Sequence, residues 1–335
     1  MMLQELNLWG EKVRDGVALA QDFYQDFGSR LAKHPKKILF VGMGGSGIAG
    51  RIMKVFFDNK TDMRTEVITT PVLPAYVSTD SLAFVISYSG NTWETISVLE
   101  SLTQKHVPTV VLAHGGKAIS IAQNNNMPYV ILPESLTPRS SLGTFLGFLA
   151  QLSSQMGFID GEKMVAELLK TIDIYVPLFT ETGYFAQFID MVNDYDLVHV
   201  WGISGDSSAV AYRAATQFNE NAKLSAVYSE YPELAHNLLV GITGKTQQKP
   251  IVILFQTDFL PGNTLSALNG MCDILKKNKV ILYKPPVLGD TFYSQLFSMI
   301  LWGDFASYYL GKERGVDIEA VAVIEELKKK QKETK

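Results

Sequence analysis

One pattern limits what this chain can fold into: a short apolar run that enters a glycine-rich loop and continues as a helix. Residues 37–50 read KILFVGMGGSGIAG, and RIMKVFF follows with helical spacing. Helical stretches separate four further apolar runs, at 65–68, 82–87, 109–113 and 129–132. Strands that alternate with helices predict a parallel sheet with helices on both faces.

The pattern returns in the second half of the chain, where 196–203 (DLVHVWGI) enter SGDSSAV and 250–255 enter QTDFLPGNT. We interpret this as a weak internal repeat, although any two α/β domains could share this order of strand, glycine-containing turn and helix. Residues 145–190 have helical composition. Apolar side chains at steps of three and four between Leu6 and Phe27 predict an amphipathic leading helix.

With 335 residues the chain is long enough for two domains. We predict an α/β fold with two domains, each a mainly parallel sheet flanked by helices, and helical segments at both ends. The predicted divisions are a first domain with its leading helix at 1–150, a helical connection at 151–190, a second domain at 191–300 and C-terminal helices at 301–335.

Composition excludes several classes of protein. A hydrophobic content of 47% and a charged content of 19% are ordinary for a globular chain, and the net charge of −4 gives no general attraction to nucleic acid or to an anionic membrane. No apolar run approaches the roughly 20 residues that span a bilayer. The lone Cys272 allows no intrachain disulfide, which favours a reducing compartment, and we expect a cytoplasmic protein with Cys272 as a buried, inert thiol.

The loop GMGGSGIAG at 42–50 has the composition of an anion-binding turn. Its glycines match the spacing of a dinucleotide loop, but the acidic residue at about the right distance, Asp62, precedes the next apolar run instead of ending it. Ser46 adds a hydroxyl at the start of a predicted helix, whose dipole favours negative charge. We interpret the loop as an anion cradle, with a purely structural turn as the alternative.

A second loop, SYSGNT at 87–92, supplies three more hydroxyls between an apolar strand and a helix. Because the carboxyl ends of parallel strands meet at one edge of a sheet, we expect the two loops to lie together. Hydroxyls and amides suit a phosphate monoester that must be released again, since they bind it without excessive Coulomb attraction. The pair of loops is therefore a predicted site for a sugar phosphate.

These two loops resemble the phosphate-binding pair of the sugar-isomerase (SIS) domain family. The segments PRSSLG (138–143), NENAK (219–223) and YPELAHN (231–237) further resemble the bifunctional phosphoglucose/phosphomannose isomerases of archaea and bacteria. The resemblance implies two SIS-type domains and an isomerase, without cofactor or metal, that interconverts glucose 6-phosphate, and also mannose 6-phosphate, with fructose 6-phosphate through a cis-enediolate. It also implies that the phosphate is held by Gly45, Ser46, Ser87, Ser89 and Thr92.

The resemblance assigns catalytic roles to four more residues. Arg139 stabilises the enediolate, and Glu220 moves the proton between C2 and C1. His236 opens the sugar ring from the neighbouring subunit, which implies a homodimer, and Lys328 assists. Taken alone, these residues also fit a surface arginine in a turn, a solvated helix glutamate, a structural histidine and a solvated helix lysine.

Two other functions stay open at this stage. A non-catalytic sugar-phosphate-binding protein would keep the hydroxyl loops, and an amidosugar-phosphate isomerase would use similar ones. This chain also reads VDIE at 316–319 where relatives often read Val-Asp-Pro-Thr. No residue is therefore assigned to the family's C-terminal threonine, which is linked to the acceptance of both C2 epimers.

Overall fold

The computed structural model describes residues 1–135, 137–181, 183–244 and 250–333. The chain divides into two compact units, which we call unit 1 (Leu3–Ile174) and unit 2 (from Tyr175 onward). The predicted divisions at 150, 190 and 300 stay predictions.

Unit 1 is built on a parallel sheet of five strands in the order β2-β1-β3-β4-β5. The strands are β1 (Lys37–Val41), β2 (Arg64–Ile68), β3 (Ser81–Ile86), β4 (Thr109–Ala113) and β5 (Tyr129–Ile131). The helices are α1 (Met2–Asn7), α2 (Trp9–Phe27), α3 (Gly44–Lys60), α4 (Trp93–Gln104), α5 (Gly116–Asn124), α6 (Leu142–Gln155) and α7 (Gly161–Phe179), the last of which ends in unit 2.

The apolar runs of unit 1 form its central strands, as predicted. β3 and β4 are buried along their whole length, which explains why SLAFVI and TVVLA are nearly continuous in apolar residues. Their side chains share one core with residues of α4 and α5, among them Val98, Leu99 and Ala118.

The predicted leading helix is α2, preceded by the short α1. Its buried residues include Trp9, Val13, Ala20 and Phe23, which lie on one stripe of the helix. This stripe packs on α6 at a glycine: a Cβ atom on Gly143 would lie 3.1 Å from the Trp9 ring. The absence of side chains there lets the two backbones approach closely.

Unit 2 has a parallel sheet of four strands in the order β7-β6-β8-β9. The strands are β6 (Leu197–Ile203), β7 (Ser225–Tyr231), β8 (Ile251–Leu254) and β9 (Ile281–Tyr283). The helices are α8 (Ala186–Val192), α9 (Ser208–Asn221), α10 (Leu238–Thr243), α11 (Gly262–Lys277), α12 (Phe292–Glu313) and α13 (Ala322–Glu333).

The sequence prediction missed β7 and β9, which are the two edge strands of this sheet. β7 (SAVYSEY) is largely half-exposed and contains a glutamate, and β9 has only three residues, none fully buried. An edge strand pairs on one side only and needs no continuous apolar run, so its sequence signal is weak.

The internal repeat is confirmed by the topology. β6 lies between β7 and β8 as β1 lies between β2 and β3, and both sheets are parallel throughout. The loops after β6 and β8 therefore occupy the same places in unit 2 as the two predicted phosphate loops do in unit 1.

Three other expectations meet the structure here. The helical composition of 145–190 corresponds to most of α6, α7 and the start of α8. Cys272 is buried, as predicted. Of the helices within the described ranges, none has the length and apolar character needed to cross a membrane.

Candidate active site

The chain order of the unit 1 sheet reverses between β1 and β3, which are direct neighbours although β2 lies between them in sequence. Val41 at the end of β1 pairs with Val85 of β3. The loops that leave these strands diverge at a topological switch point, the usual ligand site of an open α/β sheet. The predicted proximity of the two hydroxyl loops is thereby confirmed.

Three hydroxyls of these loops lie within one small region. The Tyr88 amide donates to Ser46 Oγ at 3.1 Å, which ties the first loop to the second. Ser87 Oγ lies 3.5 Å from Thr92 Oγ1. Thr92 is the residue before α4 but its side chain does not cap that helix. Its hydroxyl is directed toward Ser87.

The tip of the second loop is a tight turn around Gly90, whose φ of +65° favours glycine. Asn91 fixes the turn, since its side chain donates to the Ser89 carbonyl at 3.0 Å and accepts from the Lys117 amide at 3.0 Å. Ser89 itself is exposed. Its hydroxyl accepts from the Asn91 amide at 3.3 Å. The turn therefore presents the solvent-accessible hydroxyl of Ser89 beside those of Ser87, which is buried, and Thr92, which is half-buried.

Arg139 lies directly against the first loop. A Cβ atom on Gly45 would be 3.0 Å from both the Cα and the N of Arg139. A side chain at position 45 would therefore force Arg139 to move by a few tenths of an ångström. Arg139 belongs to a short 3₁₀ helix, Pro138–Ser141, and is only 4% exposed. The alternative of a solvated surface arginine is wrong.

The electrostatics of this region suit an anion. α3 and α4 begin in the two loops, so both present the positive end of their dipoles to the same edge of the sheet. Arg139 is buried next to the first loop and carries a permanent positive charge, because arginine does not deprotonate in proteins. A phosphate or a developing oxyanion would be stabilised here.

Sequence reasoning missed a supporting network behind Arg139. Lys12 of α2 donates to the Ser140 carbonyl at 2.9 Å and to Glu5 Oε2 at 2.5 Å. Lys12 is 12% exposed and Glu5 19%, so the ion pair is well shielded from solvent. The only sequence signal for Lys12 is that it is a cation within the predicted leading helix.

Tyr88 is a second residue that the sequence reasoning left without a role. Its hydroxyl accepts from the Ser135 amide at 2.5 Å, and its ring stacks on His114 with centroids 5.5 Å apart. Burial raises the pKa of Tyr88 above its usual value. Tyr88 thus joins the second loop to the segment that precedes Arg139.

In unit 2, Glu220 lies in the last turn of α9, where it is half-buried. His236 ends a short 3₁₀ helix, Glu233–His236, and is exposed. These two residues flank β7 at opposite ends, since α9 precedes that strand and His236 follows it. The seven residues of β7 span roughly 20 Å at about 3.3 Å each. Within one unit 2, Glu220 and His236 therefore do not meet.

Lys328 is an exposed residue of α13, and its helix carries further lysines beside it. Among the described residues, no hydrogen bond or ion pair separates Lys328 from the other lysines of this helix. Among the described residues, no group of three or more His, Cys, Asp or Glu side chains is arranged to hold a metal ion.

Two protein-family models match this chain. Residues 31–159 match the SIS domain, and residues 185–330 match the bacterial phospho-glucose isomerase C-terminal SIS domain. Each match contains one of the two sheets.

The following relatives are similar to the chain over most of its length. A bifunctional phosphoglucose/phosphomannose isomerase of Thermoplasma volcanium is 31% identical over 88% of this chain and 90% of that protein. One from Caldicellulosiruptor bescii is 29% identical over 89% and 90%. A D-glucosamine-6-phosphate 4-epimerase of Sulfolobus acidocaldarius is 24% identical over 92% and 95%.

Solved structures share the fold. Tagatose-6-phosphate ketose/aldose isomerase from Escherichia coli superimposes with a TM-score of 0.73 at 15% identity, over 96% of this chain and 95% of that one. The C-terminal domain of glucosamine-fructose-6-phosphate aminotransferase from Francisella tularensis gives 0.70 at 16% identity, over 95% and 96%.

Proposed function

Because the chain belongs to the bifunctional phosphoglucose/phosphomannose isomerase family, we infer that it is an aldose–ketose isomerase that interconverts glucose 6-phosphate and mannose 6-phosphate with fructose 6-phosphate. One observation carries the proposal. A buried arginine packs on the glycine loop of a hydroxyl-lined switch point, so a phosphate grip and a fixed cation share one region of unit 1.

Binding begins with the phosphate. Ser46, Ser87, Ser89 and Thr92 supply hydroxyls around the loop of Gly45, and the first turns of α3 and α4 supply dipoles. These groups contact a part of the substrate that does not react, so they stabilise the ground state and the transition state about equally. Their contribution is to affinity.

The sugar must open before it can isomerise. In the proposed mechanism the imidazole of His236 moves a proton between the ring oxygen and the C1 hydroxyl, since an imidazole can both accept and donate a proton. Lys328 assists at this stage by holding the sugar hydroxyls.

Glu220 then removes the proton from C2 of the open-chain aldose and returns it to C1. The intermediate is a cis-enediolate, and the hydroxyl proton moves from O2 to O1. Negative charge grows on oxygen during this step, and the guanidinium of Arg139 stabilises it. Glucose 6-phosphate and mannose 6-phosphate differ only at C2, so both give the same enediolate.

The enzyme is proposed to be a cytoplasmic homodimer that acts where glucose 6-phosphate enters or leaves glycolysis. Support for the dimer comes from unit 2, where Glu220 and His236 lie at opposite ends of β7. If both residues act on one substrate, His236 must come from a second copy of the chain.

A second candidate function has one observation in its favour. The relative named D-glucosamine-6-phosphate 4-epimerase covers nearly the whole chain at 24% identity. Amino-sugar phosphates therefore belong in the substrate panel.

The decisive experiment is a coupled assay of the purified protein with glucose 6-phosphate, mannose 6-phosphate and glucosamine 6-phosphate, alongside Glu220→Gln. We expect turnover of the first two, and a kcat for Glu220→Gln at least about a hundredfold lower with substrate binding retained. More than a tenth of wild-type turnover in that variant would remove Glu220 from the reaction.

Assembly is tested by co-expressing two inactive chains, Glu220→Gln and His236→Ala. A mixed dimer has one site with both wild-type residues if His236 serves the partner. Random pairing makes half of the dimers mixed, so we expect about a quarter of wild-type activity. A verified mixed dimer that stays at the parents' background would place both residues in one chain's site.

A further inference from the structure

The segment NENAK at 219–223 contains one residue that the proposed reaction uses, Glu220, and three polar residues that it does not. Asn219, Asn221 and Lys223 each bond to a different part of unit 2 around the end of α9. We call them the clamp residues.

Asn219 is tied to the edge strand β7. Its Nδ2 donates to the Ala226 carbonyl at 2.9 Å, and its Oδ1 accepts from the Ala226 amide at 3.1 Å. Nδ2 also donates to the Ala215 carbonyl, one turn back in α9, at 2.9 Å. The side-chain amide thus pairs with β7 as a backbone peptide would, and it fixes the helix end to the sheet.

Asn221 is tied to α12. It is fully buried, and its Nδ2 donates to Ser307 Oγ at 2.9 Å. The same two helices are joined by the buried pair of Arg213 and Asp304, bonded twice at 2.9 and 2.8 Å. Asn221 therefore continues a polar seam between α9 and α12 as far as the last residue of α9.

Lys223 closes the end of the helix. It adopts a left-handed backbone with φ of +50°. Its Nζ donates to the backbone carbonyl of Glu220 at 2.6 Å and to that of Ala320 at 2.8 Å. The peptide unit that follows Glu220 is held directly by this contact.

Helical geometry directs the Glu220 side chain away from the side chains of both clamp asparagines. Side chains rotate by about 100° per residue, so those of Asn219 and Asn221 leave α9 in nearly opposite directions, and Glu220 lies between them. With one asparagine bonded to β7 and the other to α12, the helix end can neither rotate nor fray. The direction in which the Cα–Cβ bond of Glu220 leaves the helix is thereby set.

We propose that Asn219, Asn221 and Lys223 are positioning residues that hold the Glu220 carboxylate in its reactive orientation. The inference rests on the proposed function, in which Glu220 transfers the proton. Small misplacements of a reacting group lower the rate of chemistry without weakening substrate binding.

The test compares Asn219→Ala with Asn278→Ala as the matched control. Asn278 also lies at the end of a helix in unit 2, where its Nδ2 bonds to the carbonyl one turn back, of Ile274, at 2.8 Å. We expect kcat to fall about tenfold in Asn219→Ala, with KM within twofold of wild type, and no such fall in Asn278→Ala. A kcat within twofold of wild type in Asn219→Ala would overturn the proposal.

A double variant separates positioning from a general loss of structure. If Asn219 acts through Glu220, adding Asn219→Ala to Glu220→Gln should lower the remaining kcat by less than about twofold. A full tenfold loss in that background would show that Asn219 acts on something else and would also overturn the proposal. If Glu220→Gln itself retains activity, the base assignment fails first, and this is visible in a separate measurement.

Ser307→Ala tests the clamp from the side of α12, since it removes the acceptor of the Asn221 bond without altering α9. We expect the same split, a lower kcat at unchanged KM, under conditions where thermal unfolding shows the protein folded. A Ser307→Ala protein that is folded and fully active would remove Asn221 from the proposal.

Discussion

The loops after β1 and β3 in unit 1 and the loops after β6 and β8 in unit 2 occupy equivalent places in two sheets, yet their chemistry differs. In unit 1 the loop after β1 is rich in glycine, and Ser89 and Thr92 keep hydroxyls at the surface or half-buried. In unit 2 the loop after β6 carries Asp206, which is 6% exposed.

Asp206 takes up the donors of the neighbouring loop. The Thr257 amide donates to Asp206 Oδ2 at 3.0 Å, and the Thr257 hydroxyl donates to Oδ1. Ser207 is also engaged within the unit, because its hydroxyl donates to the Phe255 carbonyl at 2.7 Å and accepts from the Ile203 amide at 3.1 Å. The Asp206 carboxylate thus accepts from the donors that the anionic group of a ligand would otherwise need.

A repeated fold therefore does not carry a repeated site. The sheet order brings two loops together in both units. A glycine loop backed by a buried arginine suits an external anion, whereas a buried aspartate already supplies the anion and repels another.

The strongest effect is expected for Arg139→Ala, next to the first loop of unit 1. Loss of a fixed donor to a developing oxyanion should lower kcat by roughly 10²–10³. Arg139→Lys should recover little, because lysine lacks the planar fork of donors. Steady-state kinetics on protein shown to be folded by thermal unfolding checks this. An Arg139→Ala enzyme with wild-type kcat would make Arg139 structural, like Arg213 in unit 2.

The next effect concerns two Gly-Asn-Thr sequences, at 90–92 in the second loop of unit 1 and at 262–264 in the first turn of α11 in unit 2. We expect Thr92→Val to raise KM about tenfold with little change in kcat, since a hydrogen bond to a charged group is worth about 1.5–3 kcal/mol. Ser89→Ala should behave alike. Thr264→Val, which changes the threonine of the same short sequence in unit 2, should leave KM unaltered. If Thr92→Val lowers only kcat, or Thr264→Val also raises KM, the distinction between the two pairs of loops is wrong.

A smaller effect is expected for Lys12→Met, which removes the bond to the Ser140 carbonyl beside Arg139. We expect kcat to fall about fivefold, with KM nearly unchanged, because the phosphate loops stay intact. Lys54→Met is the matched control, since Lys54 also bonds to a carboxylate, of Asp58, and to a backbone carbonyl, of Thr65. Equal kinetic effects in the two variants would show that Lys12 contributes only to stability.

The smallest effect is a pH dependence in unit 2. Burial raises the pKa of Asp206, although the hydrogen bonds from Thr257 act in the opposite direction. The folded protein therefore binds this proton more tightly than the unfolded chain, and the stability that Asp206 contributes rises as the pH falls through its folded pKa toward 3.8.

Asp206→Asn should remove that contribution. The wild-type protein should melt at a higher temperature relative to Asp206→Asn as the pH is lowered from 7 to 4. The KM at neutral pH should be the same in both proteins. A difference that is constant or decreases over this range would contradict the assigned direction.

The sequence by itself determined the elements that carry a local signal. Continuous apolar runs gave the buried central strands, glycine loops marked the starts of α3 and α9, and spacings of three and four marked α2, because these patterns depend only on residues that are near one another in the chain. The sequence also predicts that the hydroxyl loops bind a phosphate, and this stays a prediction. The edge strands β7 and β9 escaped, since an edge needs no such pattern.

Only the tertiary structure decided which distant residues meet. It placed β1 beside β3, packed Arg139 on Gly45, joined Lys12 to Ser140 and Asp206 to Thr257, and separated Glu220 from His236 by the length of β7. Lys12 and Ser140 are 128 positions apart, and Asp206 and Thr257 are 51. Contacts at such separations follow from how whole sheets and helices pack, which no short stretch of sequence encodes. The same strand–loop–helix pattern therefore leaves exposed or half-buried hydroxyls in one unit and holds a buried aspartate in the other.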